Sequence, residues 1–251
     1  MELKDFFNDN KKAAIAFSGG VDSAYLLYAA RSFGAEVRAY YVKSDFQPEF
    51  ELQDARRLAE ELGADMKVLE LDVLCESSIS SNPQDRCYHC KKKIFTAIKK
   101  AALGDGFSLI LDGTNASDDA GDRPGMRAIR ELEVRSPLRE CGLTKDEIRR
   151  LSREAGLFTW DKPAYACLAT RISTGEVITR EKLERTERAE AFLTKLGFSD
   201  LRVRLSSDCA RLQLPEDQLW LALEKREEIT EELLKYYKAV LLDLTPRGGR
   251  I

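Results

Sequence analysis

The chain has 251 residues, 43% hydrophobic and 33% charged, and its 40 basic against 43 acidic side chains give a net charge of −3. This apolar content leaves room for a core in one or two domains and excludes a disordered chain; the near balance of charge argues against a general nucleic-acid binder, which carries a basic excess, and so against nucleic acid as a partner. No stretch approaches the ~20 apolar residues of a membrane-spanning helix, and the charged residues 1–5 form no apolar signal segment, so a cytoplasmic protein is expected in which the six cysteines are thiols or ligands rather than disulfides.

Residues 12–17 form a short apolar run ending at a glycine pair, the pattern of a buried strand. Residues 22–33 then carry Ala24, Leu27, Tyr28 and Ala30 at helical spacing, closed by Gly34. A strand over 37–42, a helix over 53–62 ending at Gly63 and a strand over 66–71 follow. Strands alternating with helices of about a dozen residues predict βαβ units and a parallel sheet, an α/β fold. Residues 90–102 read as a helix, and 109–112 as a strand leading into Gly113-Thr114-Asn115. Residues 133–135 read as a fifth strand before Ser136-Pro137-Leu138. Thr144, with Glu147 three positions on, has the capping-box pattern for a helix over 144–155.

Residues 157–178 have no clear period and read as an irregular connection carrying Cys167. A charged amphipathic helix over 179–196 starts at Thr179, paired strands follow over 201–205 and 210–214, and a helical stretch over 215–237 breaks near Lys225 before a final strand at 239–242. The expected organisation is an α/β domain over 1–156, a connection over 157–178 and a smaller α+β domain over 179–251.

The segment Phe17-Ser18-Gly19-Gly20-Val21-Asp22-Ser23 joins a strand directly to a helix. Glycines let the backbone turn tightly and approach a ligand, and the amides at a helix start point at an anion. Ser18 and Ser23 add hydroxyls, and Asp22 makes sense beside phosphates if a Mg²⁺ lies between. A plain glycine turn would account for Gly19 and Gly20 but not for the flanking serines and the aspartate. There is no Gly-Lys-Ser/Thr of a Walker A loop and no Gly-x-Gly-x-x-Gly of a dinucleotide fold. The segment resembles the Ser-Gly-Gly-x-Asp-Ser loop of the pyrophosphate-loop (PP-loop) ATPases, the adenine nucleotide alpha hydrolase-like group. These enzymes cleave ATP between the α- and β-phosphates and convert their substrate to an adenylate. The resemblance implies that Ser18, Gly19, Gly20, Asp22 and Ser23 bind ATP and pyrophosphate.

Cys87 and Cys90, in Arg86-Cys87-Tyr88-His89-Cys90-Lys91, are spaced for zinc, redox or cluster chemistry alike. His89, the single histidine of the chain, has no ligand spacing of its own. No second ligand pair favours zinc; a third thiol, Cys167, with no fourth would suit an iron–sulfur cluster with one open iron. Three unrelated cysteines remain an equally local reading, and Cys75, Cys141 and Cys209 stand singly.

The order of motifs narrows the resemblance. The loop, Asp85-Arg86-Cys87-Tyr88-His89-Cys90-Lys91, Asp112-Gly113-Thr114-Asn115, Arg123-Pro124-Gly125, Arg135-Ser136-Pro137-Leu138, Lys162-Pro163 and Ala166-Cys167-Leu168-Ala169-Thr170-Arg171, followed by Arg202, Arg204 and Arg211, resemble the LarE family over nearly the whole chain. The resemblance implies an ATP- and Mg²⁺-dependent sulfur transferase that forms a homo-oligomer and acts on a small-molecule nucleotide. The substrate implied is pyridinium-3,5-biscarboxylic acid mononucleotide, whose adenylated carboxylate becomes a thiocarboxylate for the nickel-pincer cofactor of lactate racemase. It further implies catalytic roles for Cys167 and Asp22, Mg²⁺ on Asp22, and substrate contacts from Tyr88, Arg202, Arg204 and Arg211. Two sulfur sources occur in the family. A cysteine at the position of Cys167 gives up its own sulfur, or three cysteines hold a [4Fe–4S] cluster; the presence of Cys87, Cys90 and Cys167 favours the cluster, with its upstream sulfur donor unknown.

The arginines of the 202–211 segment alternate as on one strand face and suit phosphate oxygens. Gln213 departs from the family pattern, which has an acidic residue there, and Asp208 is the candidate to replace it. Glu190 reads as a polar contact or solvated surface, and Asp118 and Asp119 as candidates to orient substrate. An RNA-thiolating enzyme, an amidotransferase-type synthetase and a nucleotide sensor are the competing readings; the first wants a basic RNA-binding extension, the second an ammonia source, and the third no chemistry at all.

Overall fold

The computed structural model describes residues 1–118 and 124–248. The chain divides into two compact units: Met1–Val73 with Asp85–Lys162, and Leu74–Gln84 with the residues from Pro163 on. In chain order the first elements are α1 (Leu3–Asp9), β1 (Lys12–Ala16), α2 (Val21–Ser32), β2 (Glu36–Lys43), α3 (Glu49–Glu61) and β3 (Asp65–Glu70). After α4 (Ser77–Ser80), which belongs to the second unit, come α5 (Arg86–Gly104), β4 (Ile110–Leu111), α6 (Pro124–Glu131), α7 (Pro137–Glu140) and α8 (Lys145–Glu154).

The first unit is α/β, built on a parallel sheet in the order β3-β2-β1-β4. Strand alternation divides its side chains between two cores. Ala13 and Ile15 of β1 face the core that takes Leu26, Leu27, Leu52, Leu58 and Ile148 from α2, α3 and α8. Ala14 faces the opposite core, with Phe95 and Ile98 of α5 and Ile129 of α6. The chain steps outward from β1 through β2 to β3, then returns to place β4 on the other side of β1. A sheet that reverses in this way leaves a crevice at the carboxyl ends of the two strands, where ligands of such folds bind. Ser18-Gly19-Gly20 and Asp112-Gly113 leave from those two ends.

The expected fifth strand over 133–135 is reduced to a single bridge between Leu111 and Arg135. Glu133 has φ 57, outside the strand region, and Pro137 starts α7 four residues later without an amide to give a ladder. Helices α1, α4, α6 and α7 have no counterpart in the periodicity reading.

The second unit holds α9 (Arg180–Lys195), β5 (Arg202–Ser206), β6 (Cys209–Gln213), α10 (Leu219–Glu224), α11 (Arg226–Leu233) and β7 (Val240–Leu242). Its sheet runs β5-β6-β7, the first pair antiparallel and the second parallel. Ser207 and Asp208, both at positive φ, make the two-residue turn whose twist matches a tight hairpin. Thr179 caps α9 through the amide of Lys182, and the helix buries Leu183, Thr186, Ala189, Glu190 and Leu193 along one face. The helical stretch breaks at Lys225, as expected.

Residues 74–84 join this unit through Asn82, which is fully buried. Its amide donates to the carbonyls of Ile172 and Ser173 (3.3 and 2.8 Å), and its own carbonyl accepts from Gly175. A buried amide that loses its partners costs about 1–3 kcal/mol. Asn82→Ala is therefore expected to destabilise the chain by about 2 kcal/mol in a urea denaturation followed by circular dichroism; an unchanged midpoint would deny the tether.

Candidate active site

In the loop after β1, Phe17 still donates to Tyr40 of β2, and the chain then turns through Gly19 at φ +72 into Gly20, which caps α2. A Cβ on Gly19 would stand 3.1 Å from that of Ala55, so α3 packs against the bare glycine. The serine hydroxyls shape the loop from within: Ser18 and Ser23 Oγ are 3.1 Å apart, Ser23 Oγ donates to the Gly20 carbonyl, and the Ser18 amide donates to Ser23 Oγ. Intrahelical bonding at this end begins with Ala24 N–H to Gly20, which leaves the preceding amides of the turn directed along the helix axis as anion donors.

The loop after β4 closes over the same helix end. Gly113 is so near that a Cβ there would lie 2.9 Å from the Ser23 nitrogen. Buried Asp112 accepts from Ser136 Oγ and Thr114 Oγ1, each at 2.6 Å, which fixes the turn. Asn115, also buried, donates to Asp22 Oδ1 at 3.3 Å. The other Asp22 oxygen, Oδ2, accepts from Lys145 Nζ at 2.6 Å. Asp118 is occupied in capping the Asn115 amide at 2.9 Å; Asp119 and Arg123 lie outside the described residues.

Cys87 and Cys90 sit in the first turns of α5, one helical turn apart and so on one face. Cys87 is exposed, with the buried Arg86 guanidinium 3.8 Å from its sulfur, and His89 is turned to Asp85 instead. Tyr88 lies in a polar cluster between α5 and α6: its hydroxyl donates to Glu131 at 2.7 Å and accepts from Lys92, and Arg127 stacks 3.9 Å over its ring. The Tyr88 bond, with Lys92, holds the Glu131 carboxyl below its usual range.

In the second unit, Cys167 opens a 3-10 turn over Leu168–Arg171. Its carbonyl accepts from the Thr170 amide and hydroxyl and from Arg171 Nη1. Arg171 is fully buried and forms a two-point pair with Glu190 (2.8 and 3.0 Å). Glu190 also accepts from the Tyr165 hydroxyl and the Val203 amide. Burial alone would lower the Arg171 pKa, but the Glu190 bonds and charge outweigh it and the net shift is upward. Glu190 is thus a buried hub rather than solvated surface. Arg202 is buried, its guanidinium donating to the Leu201 and Ala164 carbonyls, and burial with the charges of Arg171 and Arg247 pulls its pKa down to about 10. Arg204 donates to Gln213 and to the Thr170 carbonyl and is lowered by burial and by the same kind of neighbours. Arg211 is half-exposed, 3.8 Å from Asp243.

Asp208 does not replace the acid missing at Gln213, because it is held by Arg185 and Lys238. The carboxylate beside Gln213 is Asp243, 2.9 Å from its amide. Lys145 was not singled out in the sequence; its signal is a cation at the first position of α8, where the helix dipole favours an acid. Among the described residues no group of three or more His, Cys, Asp or Glu forms a metal site, and no helix is long and apolar enough to cross a membrane.

A parallel sheet whose strand order reverses over a Ser-Gly-Gly-x-Asp-Ser turn defines a PP-loop nucleotide-using fold. A family model described as queuosine biosynthesis protein QueC matches residues 12–95. The chain is 38% identical to an uncharacterized protein of Synechocystis over 86% of its length and 81% of that protein's. It is 34% identical to the pyridinium-3,5-bisthiocarboxylic acid mononucleotide synthase of Lactiplantibacillus plantarum, over 97% of its length and 90% of that enzyme's. A tRNA-specific 2-thiouridylase MnmA of Thermotoga matches at 27% over 58% of this chain and 52% of its own. The chain belongs to the LarE family of ATP-using sulfur transferases.

Two substitutions test the geometry of each unit. Gly113→Ala pushes on backbone at Ser23 and is expected to weaken ATP binding at least about tenfold in calorimetry while costing about 1–3 kcal/mol of stability; parent-like affinity would show that the close approach does not shape the loop. Glu190→Gln leaves Arg171 buried without its counter-charge and is expected to cost about 3–5 kcal/mol in denaturation.

Proposed function

We propose that this chain uses ATP to adenylate a carboxylate of pyridinium-3,5-biscarboxylic acid mononucleotide and replaces the AMP with sulfur, yielding a thiocarboxylate on the route to the nickel-pincer cofactor of lactate racemase. The observation that carries this reading is the likeness over 97% of the chain to a synthase named for the bisthiocarboxylated product, a span that includes both the loop at 18–23 and Cys167. A substrate carboxylate oxygen attacks the α-phosphorus, and the bond to the bridging oxygen breaks, with pyrophosphate leaving on the electron pair. The amides of the first turn of α2 meet the charge that builds on pyrophosphate. A sulfur nucleophile then attacks the adenylated carbonyl carbon, and AMP departs.

Asp22 would hold Mg²⁺, which neutralises phosphate charge; one partly exposed carboxylate at the loop suits an ion that takes one or two carboxylates and completes its shell with phosphates and water. Cys87, Cys90 and Cys167 would hold a [4Fe–4S] cluster, which supplies a carrier for sulfur; the two thiols on one face at the start of α5 suit two of the three places in such a set. Arg202 and Arg204 are lowered by burial and then by neighbouring arginines, whose charge an anion would offset, which supports their role, with Arg211, toward the nucleotide phosphate. Tyr88 would contact the substrate by exchanging its bonds to Glu131 and Lys92 for it. Residues 1–156 act as the ATP-binding domain, 157–178 present Cys167, and 179–251 serve substrate binding and homo-oligomerisation, to which exposed Trp220 and Leu244 contribute. The compartment is cytoplasmic.

Anaerobically purified protein is expected to be brown with about four irons per chain, to lose them on Cys87→Ala, and to release pyrophosphate only with the dicarboxylated pyridinium nucleotide. Colourless protein in which Cys167 loses the mass of H₂S on turnover would instead establish sacrificial donation. Salt-resistant tRNA binding would overturn the substrate.

A further inference from the structure

The acid of the anion loop has a cation of its own. Lys145 Nζ lies 2.6 Å from Asp22 Oδ2, with the two side chains 30% and 23% exposed. Lys145 is held in place by more than this contact. Its amide donates to Ser117 Oγ at 2.9 Å, the Ala116 amide donates to the Leu143 carbonyl at 2.8 Å, and the Thr144–Glu147 capping box fixes the helix start from which it springs. The loop after β4 and the beginning of α8 are therefore tied together, and both deliver a donor to the same carboxylate, Asn115 to one oxygen and Lys145 to the other.

The position is a poor one for a cation on helical grounds. Lys145 is the first residue of α8, whose dipole is positive at that end, and Asp146 and Glu147 in the same turn follow the usual preference. A partly exposed ion pair contributes little to stability. A carboxylate at the mouth of an anion site does, however, oppose every phosphate that enters, and an ammonium beside it removes that opposition. An ammonium has three donors, of which Asp22 Oδ2 takes one.

We propose that Lys145 is a catalytic residue of the adenylation step: it keeps one N–H on Asp22 and gives the others to the pyrophosphate oxygens as the bond between the α-phosphorus and the bridging oxygen breaks. This rests on the reading of the loop as an ATP site. In the ground state the ammonium balances Asp22; as negative charge grows on the leaving group, the same ammonium is already oriented toward it, with no reorganisation to make. Asn115 holds the other carboxylate oxygen so that Asp22, and with it Lys145, keeps its direction.

The test compares full-length protein with Lys145→Met, Lys145→Gln and Lys145→Arg. Thermal melting, calorimetric binding of Mg-ATP and of Mg-pyrophosphate, and the rate of substrate-dependent pyrophosphate release are measured on each. The Met and Gln variants are expected to melt within a few degrees of the parent and to bind Mg-pyrophosphate about tenfold more weakly. Their kcat for pyrophosphate release should fall about 100-fold, the size of effect seen when one preorganised donor to a developing oxyanion is removed, with a smaller rise in KM for ATP. The Arg variant should recover part of the loss. If the Met variant folds poorly, Gln is read by the same criteria. Pyrophosphate release within about threefold of the parent in either, or a loss that Arg does not ease at all, overturns the role of Lys145. A parent that binds neither Mg-ATP nor Mg-pyrophosphate overturns the ATP reading of the loop itself.

Discussion

A methyl group on Gly113 would come within 2.9 Å of the Ser23 nitrogen, and the organisation of the first unit follows from that closeness. It exists because β4 returns beside β1 after the sheet has grown the other way, so the two strand ends that face each other across the reversal release their loops at one point. Only a residue without a side chain lets the second loop lie against the first turn of α2. With the backbones in contact, Asn115 reaches Asp22, and the hydrogen bonds that Ser117 accepts and the Ala116 amide donates bring the start of α8 within reach of the same carboxylate. Asp112 holds this arrangement from beneath, its two oxygens shared between Thr114 and Ser136.

The second unit is organised around charge instead of close backbone approach. Arg171 and Glu190 are buried together, and between them they bond Tyr165, Ala166, Cys167, Thr170 and Val203. Such a pair is a weak source of stability, since desolvating both charges offsets most of their attraction. What it does supply is direction: five donors on a planar guanidinium and two carboxylate oxygens define where the Cys167 turn sits relative to α9 and β5. Arg202 and Arg204 extend the same network to Ala164 and Thr170, and their pKa values are lowered first by burial and then by the neighbouring arginines. The stretch that looks irregular in sequence is therefore ordered by long-range side-chain bonds rather than by its own backbone repeat.

Much of both units could be read in the residues because the forces involved are local. Short apolar runs placed β1, β2 and β3, and alternation placed β5 and β6, within a residue or two, and the hydroxyls of Thr144 and Thr179 marked helix starts that the structure bears out. Ser18-Gly19-Gly20 and Asp22 announced an anion loop through glycine geometry and residue chemistry together. The failures have local causes too. Helix α1 is a seven-residue element and α6 an eight-residue one, too short for periodicity to stand out, and residues 133–135 have the composition of a strand but a left-handed residue at Glu133. Asp208 was a sensible substitute for the acid missing at Gln213 by proximity in sequence, yet Arg185 and Lys238, far along the chain, claim it.

The sequence by itself determined the α/β character, the loop at 18–23, the family, and the residue types available for chemistry, since each of these depends on neighbours within a few positions or on the order of motifs. Tertiary structure decided which charges meet. Lys145 is 123 positions from Asp22, Glu190 is 19 from Arg171, and Asn82 is 90 from Ile172; no periodicity encodes such distances. They are set by the crossover of β4, the packing of α9 on its sheet and the burial of polar groups that must find partners once water is gone.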